Sequence, residues 1–179
     1  MFIYNNIYSQ NTQTDEKTET ESSFTDKVFT GGNFGLQFGT QTTIEVSPIV
    51  GYRITSKIAA GVGISYRYYR FKDYYYQPPQ IFKTTIYGGT VFARYYILNN
   101  IFLHGEYEFL NLETAFFDPG SLLHKESRFW IGSVLGGGGY RQSIGEKSYL
   151  NLIILYNFNE TLFSPYSNPV IKIGIDLGL

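Results

Sequence analysis

The residues best suited to chemistry are a histidine and two carboxylates at alternating positions, His104, Glu106 and Glu108. Side chains two positions apart on a β-strand point to the same face, so these three groups share one face if the segment is a strand. A zinc-type site needs a further ligand, and the sequence does not fix where it would come from. We therefore interpret His104 as a hydrogen-bonded interior histidine, and we predict no metal and no other cofactor.

A second polar set, Ser121, His124 and Glu126, lies in a predicted loop. A Ser/His/acid set can hydrolyse esters, but no nucleophile-elbow motif is present to hold the serine. The run Gly136–Gly139 lacks the Lys-Ser/Thr of a phosphate loop, which favours close packing of strands there. We predict that the protein is not an enzyme, and we keep a hydrolase as the third hypothesis.

Composition indicates an all-β protein and argues against binding of nucleic acid. Phe, Tyr and Trp make up 18% of the 179 residues, Gly contributes 19 residues, and charged residues make up only 16%. The formal net charge of −1 provides no electrostatic basis for binding nucleic acid. The absence of Cys excludes a disulfide framework or a thiolate metal site.

Eight segments between Phe29 and Leu179 alternate apolar and polar residues with period two, the pattern of β-strands. In the last segment, Ile171, Ile173, Ile175, Leu177 and Leu179 share one face, and Lys172, Gly174 and Asp176 share the other. Segments of about 10 to 13 residues match a tilted membrane-spanning strand. The fold class predicted is an all-β, eight-stranded antiparallel up-and-down transmembrane β-barrel.

Three regions follow from this pattern. Residues 1–10, MFIYNNIYSQ, read as the remnant of a signal peptide or as an ordinary disordered N-terminus. Residues 11–27 are rich in Thr, Glu, Ser and Asp and should form a polar disordered tail. Residues 28–179 should form the barrel.

The volume of the side chains decides which face of the barrel points inward. About 40 apolar positions, many of them bulky, cannot fit inside eight strands, whose lumen is just wide enough to be filled by side chains. The Gly-rich face should therefore line the lumen, which argues against a soluble lipocalin-like barrel. This face also carries a predicted lumen charge network of nearly balanced sign: Glu45, Arg53, Arg67, Arg94, His104, Glu106, Glu108, Arg141, Lys172 and Asp176.

Two functions are open for such a lumen. Buried charges must be paired, which favours a salt-bridged plug, and we expect Arg94 to pair with Glu106 or Glu108. The alternative is a narrow porin-like channel for small solutes or ions.

Several segments, among them GGNFGLQFG, AAGVGISYRYYR and LGGGGYR, resemble the porin-family outer-membrane barrels of OmpA/OmpX type in Gram-negative bacteria. The resemblance covers roughly residues 29–179 and implies the outer membrane, its lipid, and the barrel-assembly machinery as partners. Lys172, Gly174, Leu177 and Leu179 are similar to the C-terminal signal that this machinery selects, except that Leu179 replaces the usual Phe. Because some outer-membrane barrels hydrolyse lipids, the resemblance also implies that a hydrolase, the third hypothesis, would be a lipid hydrolase.

Predicted long loops at residues 71–83, 111–127 and 160–168 alternate with short turns, and the link between the first two strands is the one short connection on the long-loop side. This arrangement places the short turns in the periplasm and the long loops outside the cell. The long loops carry aromatic clusters that either bind an extracellular protein or glycan or pack together to cap the barrel. The residues concerned are Tyr74, Tyr75, Tyr76, Phe116, Phe117, Phe163 and Tyr166.

Overall fold

The computed structural model describes residues 24–37, 41–73, 78, 80–117, 127–165 and 168–179. Eight strands and two single-turn helices follow in chain order: α1 (Phe24–Lys27), β1 (Val28–Gln37), β2 (Gln41–Arg53), β3 (Ile58–Asp73), β4 (Gln80–Tyr96), β5 (Ile101–Glu113), α2 (Thr114–Phe117), β6 (Arg128–Ser143), β7 (Ser148–Asn157) and β8 (Val170–Gly178). None of the helices among these residues is long and apolar enough to cross a membrane.

Every strand pairs antiparallel with its neighbours in sequence, and the sheet closes into a barrel. Closure is made by β1 and β8, which are paired from Phe29 opposite Gly178 to Phe34 opposite Ile173. A closed sheet has no edge strand, so each of the eight strands pairs with a neighbour on both sides. The predicted eight-stranded antiparallel barrel is confirmed.

The predicted alternation of faces is also present. Along β5, exposed and buried residues alternate from Ile101 to Leu110. The exposed set around the barrel is apolar and includes Val62, Ile64, Leu103, Ile154 and Ile173. The buried set combines apolar side chains with charged ones, among them Arg67, Arg94, Glu106, Glu108, Lys172 and Asp176. The barrel thus has an apolar outer face and carries charges on its inner face, the reverse of a soluble barrel.

Some element boundaries differ from the sequence-based ones. The segment predicted as a long loop between β3 and β4 is partly strand, because Tyr69–Asp73 pairs with Gln80–Thr84 as a continued hairpin. Residues 111–113, predicted as loop, continue β5, and α2 follows them. The predicted disordered tail overlaps α1, in which the Phe24 ring stacks on the Tyr52 ring at 5.3 Å between centroids. Residues 1–23 lie outside the described residues.

Apolar side chains fill the barrel in two clusters. The larger one comprises Phe29, Ile49, Ala59, Phe92, Tyr96, Phe102, Leu135, Ile153 and Leu155. The smaller one lies towards the long-loop end and comprises Ile86, Leu110, Leu112 and Phe129. The charged side chains of the interior lie next to these clusters and come from β2, β3, β4, β5 and β8.

Candidate functional site

The candidate site is the buried polar network inside the barrel. Strand β5 supplies His104, Glu106 and Glu108 to it, as the period-two pattern predicted, and all three are less than a tenth exposed. Strand β8 supplies Lys172 and Asp176, which the same pattern places inward. Inward charges on adjacent and opposite strands meet because the lumen of an eight-stranded barrel is only a few side chains wide.

Lys172 lies at the centre of the network. Its Nζ donates to Glu106 Oε1 at 2.8 Å and lies 4.0 Å from Glu108 Oε1. Glu106 Oε1 also accepts a hydrogen bond from Thr90 Oγ1 at 2.7 Å. The ammonium thus compensates two buried carboxylates, which is the condition for keeping charges in a dry interior.

Arg94 pairs with Asp176, which was predicted to belong to the lumen charge network but not to be the partner of Arg94. We expected Glu106 or Glu108, but Nη1 of Arg94 instead donates to Asp176 Oδ2. The prediction is wrong because the register places Arg94 opposite His104, whereas Glu106 lies opposite Phe92. The arginine side chain extends from β4 across the lumen to β8. These two strands are far apart in sequence, and the pairing of the β4–β5 hairpin gives no information about a contact between them.

His104 links the two ion pairs. Its Nδ1 lies 3.3 Å from Arg94 Nε, which can only donate, so Nδ1 is the acceptor. The other ring nitrogen, Nε2, lies 3.1 Å from Glu106 Oε2 and donates to it. Its ring also stacks on Phe92 at 5.6 Å between centroids. This geometry agrees with the interpretation of His104 as a hydrogen-bonded interior histidine.

A second chain of contacts continues the network towards β2 and β3. Arg67 Nη2 lies 2.9 Å from Glu45 Oε2, and Arg67 Nε donates to the same oxygen at 3.1 Å. Ser65 Oγ donates to Glu108 Oε1 at 3.4 Å. The Ser65 and Ser47 hydroxyl oxygens are 3.3 Å apart, and Ser47 donates to Glu45 at 3.1 Å. Glu45, Glu108 and their partners therefore belong to one connected interior.

Arg53 and Arg141 were predicted to belong to the lumen charge network, but the structure places both of them outside it. Arg53 is half-buried with its guanidinium 5.8 Å from the centre of the Phe29 ring. Arg141 packs against Tyr96 and Tyr149. Among the described residues neither arginine makes an ion pair. Both lie near the short turns, where water can solvate a charge that the lumen would have to pair.

Three inward phenylalanines pack beside the buried Arg94 guanidinium, and each occupies the space left by a glycine. A Cβ at Gly51 would meet the ring of Phe29, one at Gly61 the ring of Phe92, and one at Gly139 the ring of Phe102. The Gly-rich inward face was predicted, but its pairing with particular phenylalanines was missed. An apolar residue among the polar, inward positions of a strand, such as Phe92 between Thr90 and Arg94, could have indicated this pairing.

The long-loop aromatic residues are only partly within the described residues. Tyr74, Tyr75, Tyr76 and Tyr166 lie outside them, as do Ser121 and His124. Phe116 and Phe117 end α2. Phe163 packs against the smaller interior cluster, with its ring at 5.9 Å and an angle of 78° to the ring of Phe129. Phe163 thus fits the capping interpretation of the loops.

The residues of the C-terminal signal occupy two environments. Leu177 and Leu179 are exposed on the outer face, whereas Lys172 is buried in the ion network. Gly174 lies opposite Asn33 on β1, and a Cβ there would meet the Asn33 side chain. Lys172 and Gly174 therefore have structural roles within the barrel that are independent of any assembly signal.

Fold and interior together define the class of protein: a closed eight-stranded antiparallel β-barrel with apolar clusters and ion pairs on its inner face. In the part of the chain that the structure describes, no three His, Asp or Glu side chains are grouped so that they could hold a metal ion.

No protein-family model matches this chain, and no curated protein matches it. Among solved structures the chain is similar to the outer membrane protein Ail of Yersinia pestis, whose backbone structure was determined in a phospholipid bilayer nanodisc. That alignment has a TM-score of 0.49 and 10% sequence identity, and it covers 85% of this chain and 98% of that chain.

Proposed function

We propose that this protein is an integral outer-membrane β-barrel with a closed lumen and a structural or surface-binding role. The barrel exposes isoleucine, leucine, valine and aromatic side chains all around its outer face. Water would penalise such a surface, whereas lipid tails solvate it. Outer-membrane lipid is thus the first partner proposed.

The proposed orientation places the short turns in the periplasm and the long loops outside the cell. Exposed aromatic residues near both ends of the strands support this placement across a bilayer, since rings with a polar tip favour the interface. Tyr95 and Tyr140 lie near the short turns, and Tyr87, Tyr107 and Trp130 lie towards the long loops. The rings of Tyr87 and Trp130 are in edge-on contact at 6.3 Å.

The observation that carries the closed lumen is the packing of Phe29, Phe92 and Phe102 beneath the ion network. Phe29 and Phe102 are 1% and 0% exposed. The Arg94 guanidinium lies 5.0 Å from the centre of the Phe92 ring and 5.2 Å from that of Phe102. A continuous water path would have to displace both the rings and the cation that they cover. This arrangement supports a plug and disfavours the porin-like channel.

Planar-bilayer recording tests the proposal directly. We expect the purified barrel to insert without steady conductance. A variant with Phe92→Ala and Phe102→Ala should show measurable conductance, because it removes two rings that fill the lumen while leaving the outer face unchanged. Steady conductance of the unmodified protein, at a level similar to that of the double variant, would favour the channel instead.

A solubility experiment tests the membrane assignment separately. The barrel should refold in detergent or lipid and migrate differently on a gel before and after boiling, because a closed barrel resists unfolding by detergent. Recovery of a folded monomer from buffer without detergent would exclude the membrane assignment.

The surface-binding role rests on the long loops. We propose that Tyr74, Tyr75, Tyr76, Phe116, Phe117 and Tyr166 face an extracellular protein or glycan, whereas Phe163, which packs on Phe129, caps the barrel. Changing Tyr74, Tyr75, Phe116 and Phe117 to Ser should abolish capture of that partner and leave the gel shift intact. Loss of the gel shift would instead assign these residues to the cap.

A further inference from the structure

Arg141 is a half-buried arginine near the short turns, and it makes no ion pair with any of the described residues. Its guanidinium carbon lies 4.2 Å from the centre of the Tyr96 ring and 4.5 Å from that of Tyr149. Its Nε donates to the main-chain oxygen of Asn99 at 2.5 Å. These contacts hold the guanidinium plane in one orientation, and they use only one of its five N–H groups.

The remaining four N–H groups, on the two Nη atoms of Arg141, have no hydrogen-bond acceptor among the described residues. The side chain is only half-buried, and it lines a pocket of about 490 Å³ between two short turns of the barrel. A volume of this size lies within the range of small-molecule sites. The other lining residues are neutral: Asn99, Asn100, Tyr140, Gln142, Ser143 and Tyr149.

We propose that this pocket binds the terminal carboxylate of a short peptide, with the Nη edge of Arg141 as the recognition element. A guanidinium presents parallel N–H groups that match the two oxygens of a carboxylate. Its stacking on two tyrosines fixes the guanidinium before binding, which lowers the entropic cost of capture.

The neutral lining favours a peptide over a more highly charged anion. A phosphate group carrying two charges would have one cation in the pocket to compensate it. Asn99, Asn100 and Gln142 carry amides, and Ser143 a hydroxyl, all of which can pair with the N–H and C=O groups of a peptide. The proposal concerns the folded barrel and does not depend on its orientation in a membrane. If the proposed orientation holds, the ligand is periplasmic.

The test uses the refolded full chain in detergent and measures binding calorimetrically. The probe is N-acetyl-alanyl-alanine, with its C-terminal amide and inorganic phosphate as comparison ligands. We expect saturable binding of the free acid alone. Arg141→Gln should weaken it about ten- to a hundredfold, the loss expected for hydrogen bonds to a charged group.

Arg53→Gln is the matched control, since Arg53 has the same charge, lies near the same end of the barrel and does not line the pocket. Its affinity for the probe should equal that of the unmodified protein. Tyr149→Leu should weaken binding in a protein that still shows the heat-dependent gel shift, because the guanidinium loses one of its two stacking partners. Equal binding by Arg141→Gln, equal binding of the amide, preference for phosphate, or no binding by the unmodified chain would each overturn the proposal.

Discussion

At the scale of single residues, the interior depends most on Lys172. Its ammonium lies within ion-pair distance of both Glu106 and Glu108, and Glu108 is fully buried. In a dry lumen, removing one partner of such a group costs far more than the pair contributes, because the remaining charge keeps its full desolvation penalty.

Lys172→Met should therefore destabilise the barrel by about 3–5 kcal/mol, measured by urea unfolding in a fixed lipid or detergent. Lys147→Met is the matched control. Lys147 also donates to a carboxylate, Asp26, at 3.1 Å, but both side chains are about half exposed. Its loss should cost at most about 1 kcal/mol. Equal effects of the two variants would mean that water fills the lumen around Lys172.

The glycine beneath Phe29 permits a second prediction at the same scale. A Cβ on Gly51 would lie 2.5 Å from Cε1 and 2.7 Å from Cε2 of Phe29, so the ring must move. Gly51→Ala should cost about 1–3 kcal/mol of unfolding free energy. Gly105→Ala should change it by less than about 0.5 kcal/mol, since nothing lies within 4 Å of a Cβ there.

Combining Gly51→Ala with Phe29→Leu identifies the cause of that loss. Because the smaller side chain vacates the space that the new methyl group needs, the double variant should be less destabilised than the sum of the two single variants. Strict additivity of the two effects would place the strain elsewhere in the barrel.

At the scale of the strands, period-two alternation was sufficient to assign the faces of β8. Ile171, Ile173, Ile175 and Leu177 are exposed, and Lys172 and Asp176 are buried. Strand ends were less predictable, as in the β3–β4 hairpin, whose pairing continues to Asp73 opposite Gln80. Hydrophobic patterning marks where a strand meets lipid, but it does not mark where the backbone ladder ends in water.

A change in β8 separates folding from assembly. Leu177 is exposed on the outer face near the short-turn end, where, in the proposed membrane orientation, an acidic residue costs little stability. Leu177→Asp should therefore refold in detergent with almost unchanged stability but fail to accumulate in the outer membrane, if this strand carries the assembly signal. Leu179→Phe should accumulate at least as well as the unmodified chain. Normal membrane levels of Leu177→Asp, measured by fractionation and blotting, would remove the signal assignment.

At the scale of the whole molecule, the sequence predicted which residues enter the lumen better than it predicted their partners. His104, Glu106, Glu108, Lys172 and Asp176 are all inside, as expected. Their pairing depends on the register of every intervening strand and on the width of the barrel, which determine the residues that meet across the lumen. The Arg94–Asp176 pair joins β4 to β8, and local spacing in sequence carries no information about such a contact.

Closure by β1 and β8 also means that the order of the strands is circular. The start of β1 and the end of β8 are adjacent, with the Leu179 amide 3.3 Å from the Val28 carbonyl oxygen. A permuted gene that joins residue 179 to residue 28 by a short linker, and that opens the chain between Asn99 and Asn100, would retain all eight strand pairings. Such a permutant should refold in detergent with the gel shift of the parent. The permutant would have β4 as its last strand and β8 inside the chain. Its export and insertion by cells would show that β8 is recognised by its sequence, and its failure to insert would show that β8 is recognised by its position.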